Sequence, residues 1–143
     1  MKKGEGKMTN PPKRLYVPVS HDAERAGKIL LDAAFKVHTK LGPGLLESVY
    51  RIAVKHVIEK EGTLVETEVK IPIEFDGVIL ESGLRLDLLV NKLVIAELKS
   101  VEKMNPVYEA QLMTYLRLSG LRLGFLINFN VRHLKDGIKR IVV

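Results

Sequence analysis

The sequence has no cysteine and no tryptophan, and aromatic residues make up 6% of it. The absence of cysteine excludes disulfides, thiolate zinc sites, iron–sulfur clusters and cysteine nucleophiles, and it leaves oxygen and imidazole as metal ligands. No stretch of about 18 apolar residues without a charge is present, so we expect no membrane-spanning helix. These absences favour a cytoplasmic protein in which any bound metal is a hard cation.

Several catalytic motifs are missing as well. The four histidines have no HExxH spacing, no glycine-rich phosphate-binding loop is present, and no serine has the flanking glycines of a nucleophile elbow. Zinc peptidase, nucleotide-loop and serine hydrolase chemistry are therefore unsupported.

Positive charge is concentrated at the beginning of the chain. Residues 1–20 carry five basic residues and one acidic residue, and so supply +4 of the formal net charge of +6. This segment lacks apolar periodicity and is rich in lysine, glycine and proline, so we predict a flexible basic tail over residues 1–20. Residues 21–143 are predicted to form a single domain, and their remaining charge is only weak support for a nucleic-acid partner.

Two helices are predicted at the start of this domain. From Asp22 to about Lys40 apolar residues recur at three- and four-residue spacing, and Gly42-Pro43-Gly44 ends that pattern. A second helix is predicted from near Leu45 to about Glu61. The predicted buried stripe of this helix consists of Leu46, Val49, Ala53 and Val57.

Alternation with a period of two then predicts three strands, over residues 64–75, 78–90 and 93–98. Asp76-Gly77 is a strong signal for the first hairpin turn. Asn105-Pro106 predicts the start of a third helix that ends before Gly120. A buried strand over residues 123–129 and a short last strand over residues 138–143 complete the predicted order α-α-β-β-β-α-β, which favours an α/β fold with a mixed central sheet flanked by helices.

Three charged residues lie within the otherwise apolar second and third strands. Burying an unpaired charge costs several kcal/mol, roughly, so Asp87, Glu97 and Lys99 are expected to interact with one another or with a metal. Glu97 and Lys99 share a face because they are two residues apart on a strand. Two carboxylates and a lysine suit Mg²⁺ or Mn²⁺ and the hydrolysis of a phosphodiester bond.

Whether Asp87 joins the other two charges depends on the turn between the strands. A two-residue Asn91-Lys92 loop pairs Asp87 with Ala96 and leaves it on the opposite face from Glu97. We therefore predict a three-residue loop that includes Leu93, a bulge, or a bend near Asp87.

Residues on two helices extend this group. Glu47 and Tyr50 lie about one turn apart on the second helix, after Gly44, and Gln111 and Tyr115 lie four residues apart on the third. A third carboxylate, an amide and a phenol could thus approach the sheet. The alternative is structural: Glu97 and Lys99 form an ion pair at the sheet edge, Asp87 is solvated, and the two tyrosines bury their rings with the hydroxyl groups in water.

Four motifs in this order resemble the PD-(D/E)XK nuclease superfamily, and more narrowly its small GxxExxY proteins. The matching segments are Gly44-Leu45-Leu46-Glu47-Ser48-Val49-Tyr50, Asp87, Glu97-Leu98-Lys99, and Gln111-Leu112-Met113-Thr114-Tyr115, the last similar to the QxxxY element of RecB-type nucleases. The resemblance covers about residues 25–130 and implies a restriction-endonuclease-like core. Leu86 stands where the superfamily name has proline, and the cysteines that hold an iron–sulfur cluster in some RecB-like relatives are absent.

The resemblance implies a role for each matching residue. Asp87 and Glu97 would hold Mg²⁺ or Mn²⁺, Glu47 would add a carboxylate or bind through water, and Lys99 would position the nucleophile. Tyr50, Gln111 and Tyr115 would order the substrate or the site. The implied function is a divalent-metal-dependent nuclease acting on DNA.

The alternative function is a catalytically inactive nuclease-fold module that binds nucleic acid or a protein partner. Convergence of Glu47, Asp87, Glu97 and Lys99 on one point would favour catalysis, and a dispersed arrangement would favour binding alone. A homodimer stays open, because no feature of the sequence establishes or excludes one.

Overall fold

The structure, a computed structural model, describes residues 17–143 apart from the side chain of Ser82. The part of the predicted tail at residues 1–16 lies outside the described residues. Val19 is buried against the core, and the Ser20 hydroxyl accepts a hydrogen bond of 3.1 Å from the backbone N–H of Ala23. Ser20 is thus the N-cap of the first helix, because its side chain satisfies one of the free N–H groups of the first turn.

The three predicted helices are present. Helix α1 spans His21–Leu41, α2 spans Glu47–Lys60 and α3 spans Val107–Ser119. Gly42 and Gly44, with φ angles of 69° and 97°, turn the chain sharply between α1 and α2 in a conformation that favours glycine. Among residues 17–143, no helix combines the length and the apolar content needed to cross a bilayer.

The predicted buried stripe of α2 is partly wrong: Ala53 and Val57 pack against the core but are only half-buried, and Val49 is 39% exposed. Tyr50, Val54 and Ile58 are the buried residues of this helix, whereas Leu46 is 73% exposed and precedes the first helical turn. The error arises at Tyr50, whose ring the sequence pattern places at the boundary between the core and the solvent. The structure buries that ring completely because hydrogen bonds satisfy its hydroxyl group.

Helix α3 begins and ends as its flanking residues predict. The Asn105 side chain accepts a hydrogen bond of 2.9 Å from the backbone N–H of Val107 across Pro106, whose missing N–H costs nothing at this position. At the other end Gly120 adopts the left-handed conformation, and its N–H donates to the carbonyl of Leu116.

Five strands of the described residues form one sheet, in which the spatial order equals the chain order. The strands are β1 Val65–Phe75, β2 Val78–Val90, β3 Val94–Lys99, β4 Leu123–Asn128 and β5 Ile138–Val142. β3 and β4 are parallel and the other neighbours are antiparallel, so the sheet is mixed as predicted. Asp76 and Gly77 both have positive φ angles, 53° and 77°, as a tight two-residue hairpin turn requires.

The sheet lies between two helical layers. Helices α1 and α2 cover one face with a core that includes Leu88 and Leu98, and α3 covers the other with a core that includes Leu86 and Ile95. Both layers come close to β4: a Cβ atom added to Gly27 of α1 would lie 3.0 Å from the Phe125 ring. A Cβ atom added to Gly124 would likewise lie 3.0 Å from the side chain of Leu112 in α3. The predicted order of elements and the covered sheet are confirmed.

Candidate active site

The turn between β2 and β3 places Asp87 and Glu97 side by side. Val90 pairs with Val94 and Leu88 with Ala96, so the loop contains three residues, Asn91-Lys92-Leu93. Continued by one residue, this register sets Asp87 opposite Glu97, where directly opposed side chains share a face. The predicted three-residue loop is confirmed, and a two-residue pairing of Asp87 with Ala96 is excluded.

Strand β2 also bends at Asp87. Thr67 pairs with Leu88 and Val69 with Leu86, but Glu68 between them has a positive φ of 53°. Leu88 belongs to the core under α1 and α2, whereas Leu86, two residues earlier, belongs to the core under α3. Two residues apart on a regular strand would face the same side, so the backbone turns over at this point.

The Asp87 and Glu97 carboxyl groups occupy different environments. The Asp87 Oδ2 atom accepts a hydrogen bond of 2.9 Å from the backbone N–H of Leu98, which fixes it against β3. Glu97 is 8% exposed, and its Oε1 atom has no hydrogen-bond partner among the described residues. Burial, and then the negative charge of Asp87, raise the pKa of Glu97 to about 9. A buried carboxyl group with an unsatisfied oxygen is costly, so a ligand that satisfied it would stabilise the site.

Lys99 follows on the same face of β3. Its Nζ atom lies 4.4 Å from the centroid of the Tyr108 ring, a cation–π distance that restrains the ammonium group. Tyr108 was not predicted as a site residue. Its spacing, three residues before Gln111 and seven before Tyr115, places all three on one face of α3 and is the signal that identifies it.

Glu47, the first residue of α2, approaches the pair of carboxyl groups from the loop side. It is half-buried, and its pKa is raised by burial and then by the charge of Asp87, with Lys99 and Arg51 acting in the opposite direction. Glu47 is therefore close enough to both Asp87 and Lys99 to feel their charges. The charges of the four predicted residues Glu47, Asp87, Glu97 and Lys99 thus influence one another.

Tyr50 lies behind this group and supports it. Its ring stacks on Phe129 with centroids 4.4 Å apart, and its hydroxyl donates to the Gly42 carbonyl at 2.6 Å and accepts from the Leu45 N–H at 3.1 Å. Because the side chain is fully buried, it can order the loop before Glu47 but cannot contact a substrate.

Two further polar side chains fix the segment that follows β3, and the first of them joins it to the loop before Glu47. The Ser100 hydroxyl donates to the Leu45 carbonyl at 2.5 Å. Asn128, which is 3% exposed, accepts a hydrogen bond of 3.1 Å from the Val101 N–H and donates one of 3.0 Å to the Val101 carbonyl. Sequence analysis missed both residues, because the long-range contacts that give them a role leave no local pattern.

The two α3 residues of the QxxxY element differ in their relation to the site. Tyr115 is half-buried, and burial followed by the charges of Glu97 and Asp87 raises the pKa of its phenol, so it lies beside the carboxyl pair. Gln111 is exposed and forms no hydrogen bond with any other residue in the described part of the chain. It shares a helix face with Tyr108 and Tyr115 and remains free to meet a ligand.

The donor set fits a hard divalent cation. Asp87 and Glu97 supply adjacent carboxyl oxygens, one of them buried and unsatisfied, and Mg²⁺ sites often use one or two carboxylates with water in the remaining positions. Within residues 17–143, no three acidic or histidine side chains form a group that could hold an ion directly. Glu47 thus fits the predicted role of contact through water better than direct ligation.

The comparisons with known proteins agree with this geometry at the level of the superfamily. A family model of the PD-(D/E)XK nuclease superfamily matches residues 24–141, a range that contains every candidate site residue. No curated protein and no solved structure matches the chain. The mixed sheet between helical layers is consistent with a restriction-endonuclease-like fold.

Proposed function

Because the chain belongs to the PD-(D/E)XK nuclease superfamily, we propose that it is a divalent-metal-dependent nuclease that hydrolyses phosphodiester bonds in DNA. The observation that carries the proposal is the pairing register that sets Asp87 beside Glu97, with Lys99 on the same face. The Gly44, Glu47 and Tyr50 positions further support a place among the GxxExxY proteins, since all three lie in or beside the loop that leads to the site.

Asp87 and Glu97 would hold Mg²⁺ or Mn²⁺, with Glu47 acting through water. When bound, the cation supplies positive charge that stabilises the developing negative charge on phosphate. The residues themselves hold the geometry: the Leu98 N–H orients Asp87, and burial keeps the Glu97 carboxyl away from bulk solvent. Without a cation, burial of the Glu97 carboxyl group, and then repulsion from the negative charge of Asp87, raise the pKa of Glu97.

Besides the metal-binding carboxyl groups, the site contains Lys99, which would position the attacking water. Its ammonium group can donate hydrogen bonds to water and to a phosphate oxygen, and the Tyr108 ring limits where that group can go. Tyr115 and Gln111 extend along the same face of α3. Their phenol and amide groups suit contacts with a phosphate or a base.

The basic residues on either side of β4 divide into two groups. Arg122 donates to the carbonyls of Val17 and Val143, Lys139 pairs with Glu109, and Arg140 pairs with Glu24. These three are engaged in the fold. Arg132 and Lys135 form no ion pair with the described residues, and they line a pocket with Gly42 and Pro43, at the start of the loop that leads to Glu47. We assign phosphate contacts to these two.

A cleavage assay tests the proposal. Single-stranded, duplex and branched DNA, with RNA in parallel, are incubated with the full chain and Mg²⁺, Mn²⁺ or a chelator. We expect metal-dependent cleavage that is lost in Glu97→Ala and Lys99→Ala, each checked for folding by circular dichroism. Glu59→Ala and Lys28→Ala are matched controls, because both remove an exposed charge from a surface ion pair and should leave cleavage unchanged.

The same experiment separates the alternative function. If the parent chain never cuts any nucleic acid with either metal, while the parent and Glu97→Ala bind DNA equally, the chain is a binding module and the enzymatic proposal fails. Cleavage that survives in folded Glu97→Ala would instead locate the chemistry elsewhere.

A further inference from the structure

The outer part of the β1–β2 hairpin carries an exposed apolar surface. Strand β3 pairs with β2 only over Leu88–Val90, so farther out the two strands form a ribbon that no third strand continues. At its tip Phe75, Val78 and Ile79 are 70%, 58% and 63% exposed. We call residues 73–81 the hairpin arm. Phe75 and Val78 pair directly and share a face, and exposed apolar surface of this kind favours an interaction site.

The hairpin arm is set at an angle by a bulge at its base. The pairing register shifts between Ile71 and Ile73, and Gly83 permits the close approach there, because a Cβ atom at that position would lie 2.4 Å from the Ile71 carbonyl oxygen. Pro72 lies within the irregularity and cannot donate a ladder hydrogen bond. Bulges bend the strand in which they occur, so this one sets the arm at an angle to the inner part of the two strands.

The charge of the hairpin arm is of one sign. Glu74, Asp76 and Glu81 are its ionisable residues, and residues 71–84 contain no lysine or arginine. An acidic, apolar arm is unsuited to DNA, whose phosphates would repel it. Its partner should instead offer an apolar surface with basic residues around it.

The chain itself has such a surface. A groove of about 350 Å³ between α1 and α2 has a floor of apolar side chains: Val37, Leu41, Ala53 and Val57. Its rim is mainly basic: Lys36, Lys40, His56 and Lys60, with Glu61 as the one acidic residue. None of the three lysines forms an ion pair within residues 17–143, and no residue of the hairpin arm lines the groove.

We propose that the hairpin arm of one copy binds in the α1–α2 groove of a second copy. The apolar tip matches the apolar floor, and the three acids of the arm match the lysines of the rim, so both kinds of contact are complementary. Each copy has one arm and one groove. In the proposed dimer a two-fold axis relates the copies, so that each arm occupies the groove of the other copy and the assembly closes.

Oligomeric state and charge exchange give the first test. Sedimentation velocity of the full chain, at a series of concentrations and salt levels, should show a dimer that weakens as salt rises. The arm variant Glu74→Lys/Glu81→Lys and the groove variant Lys36→Glu/Lys40→Glu should each raise the dimer dissociation constant at least about tenfold. An equimolar mixture of the two variants should form a heterodimer, because each arm then has one complementary groove.

The absence of cysteine permits a second, positional test. His56→Cys in the groove and Val78→Cys in the arm are exposed substitutions, and any disulfide must join introduced thiols. Under mild oxidation the mixed variants should crosslink efficiently, and each variant alone should not. Crosslinking of Val78→Cys alone would show that two arms meet at their tips, which overturns the proposal.

Other outcomes also decide the question. A monomer at every concentration overturns the proposal. A dimer that the groove substitutions leave unchanged excludes the groove as the receiving surface. Neither result bears on metal-dependent cleavage, so the proposed function is tested separately.

Discussion

Asp87 on β2 accepts a hydrogen bond from the backbone N–H of Leu98, the residue between Glu97 and Lys99 on β3. The strand that carries the buried carboxyl group and the lysine therefore also holds the second carboxyl group. These groups form one rigid unit on the sheet, whereas Glu47 comes from α2 and Tyr108 and Tyr115 come from α3. Substitutions on the sheet should change metal binding and stability together, and those on the helices should change mainly the contacts to substrate.

Replacing Glu97 with glutamine should stabilise the metal-free protein as the pH rises. The folded state keeps the Glu97 proton between the ordinary pKa of 4.5 and its raised pKa of about 9, while the unfolded state loses it. The free energy of unfolding of the parent therefore falls with pH in this window, by up to about 1.4 kcal/mol per unit. Glu97→Gln lacks this proton, so its advantage should grow from pH 5 to pH 8, roughly, in chelator-treated urea titrations.

A matched control for this pH series is Glu59→Gln, which removes an exposed carboxyl group paired with Lys55. It should keep the pH dependence of the parent. A constant difference between parent and Glu97→Gln across the series would contradict the raised pKa.

A divalent cation should raise the thermal stability of the parent protein. A ligand that binds only the folded state at 100 times its dissociation constant adds about 2.7 kcal/mol to the free energy of unfolding. Scanning calorimetry with Mg²⁺ or Mn²⁺ should show this shift at about pH 8, where protons compete less with the cation for the carboxyl oxygens than at lower pH. Asp87→Asn and Glu97→Gln should abolish the shift, whereas Glu66→Gln on β1, an exposed pair with Lys92, should retain it.

Removing the Tyr50 hydroxyl should destabilise the fold and loosen the loop before Glu47. Tyr50→Phe leaves the Gly42 carbonyl and the Leu45 N–H without their partner, at a cost of about 1–3 kcal/mol. Urea unfolding measures the loss, and hydrogen exchange should show faster exchange at Leu45. Tyr108→Phe is the matched control, since the Tyr108 hydroxyl forms no hydrogen bond with described residues. Equal stability of the two variants would refute the role assigned to Tyr50.

Loss of Arg132 and Lys135 should weaken duplex binding in a salt-dependent way. Each phosphate contact contributes about 0.9 to the slope of log affinity against log salt, so the double alanine variant should lower that slope by about 2. Fluorescence anisotropy at several salt concentrations measures it. The Arg25→Ala/Lys28→Ala variant makes the same change in net charge on the exposed face of α1. A slope unchanged in the Arg132/Lys135 variant, or lowered equally in the control, would contradict the assignment.

Much of the fold follows from short-range patterns in the sequence. Asp76-Gly77, Asn105-Pro106 and Gly120 mark their turn and helix ends through backbone preferences that act within a few residues. The link between Asp87 and Glu97 could also be predicted, because a buried charge needs a partner and only a longer loop or a bend supplies it. The structure contains both the three-residue loop and the bend at Asp87.

Other parts of the site depend on contacts between distant segments. Tyr50 is buried because Phe129 offers a ring to stack on and the Gly42 loop offers a carbonyl, and neither is visible from the helix pattern. Asn128 gains its role from Val101, 27 positions away. The exposed surface of the hairpin arm was likewise hidden, since alternating residues predict a strand equally well whether or not a helix covers it.

The number of residues in the loop Asn91-Lys92-Leu93 determines which side chains of β2 and β3 face one another. The length of this loop sets the register in which Asp87 and Glu97 share a face. A single deletion there would move Asp87 across the sheet and leave every functional residue present in the sequence. Whether this turn has an odd or an even number of residues therefore matters to the candidate site as much as the identity of Asp87 and Glu97.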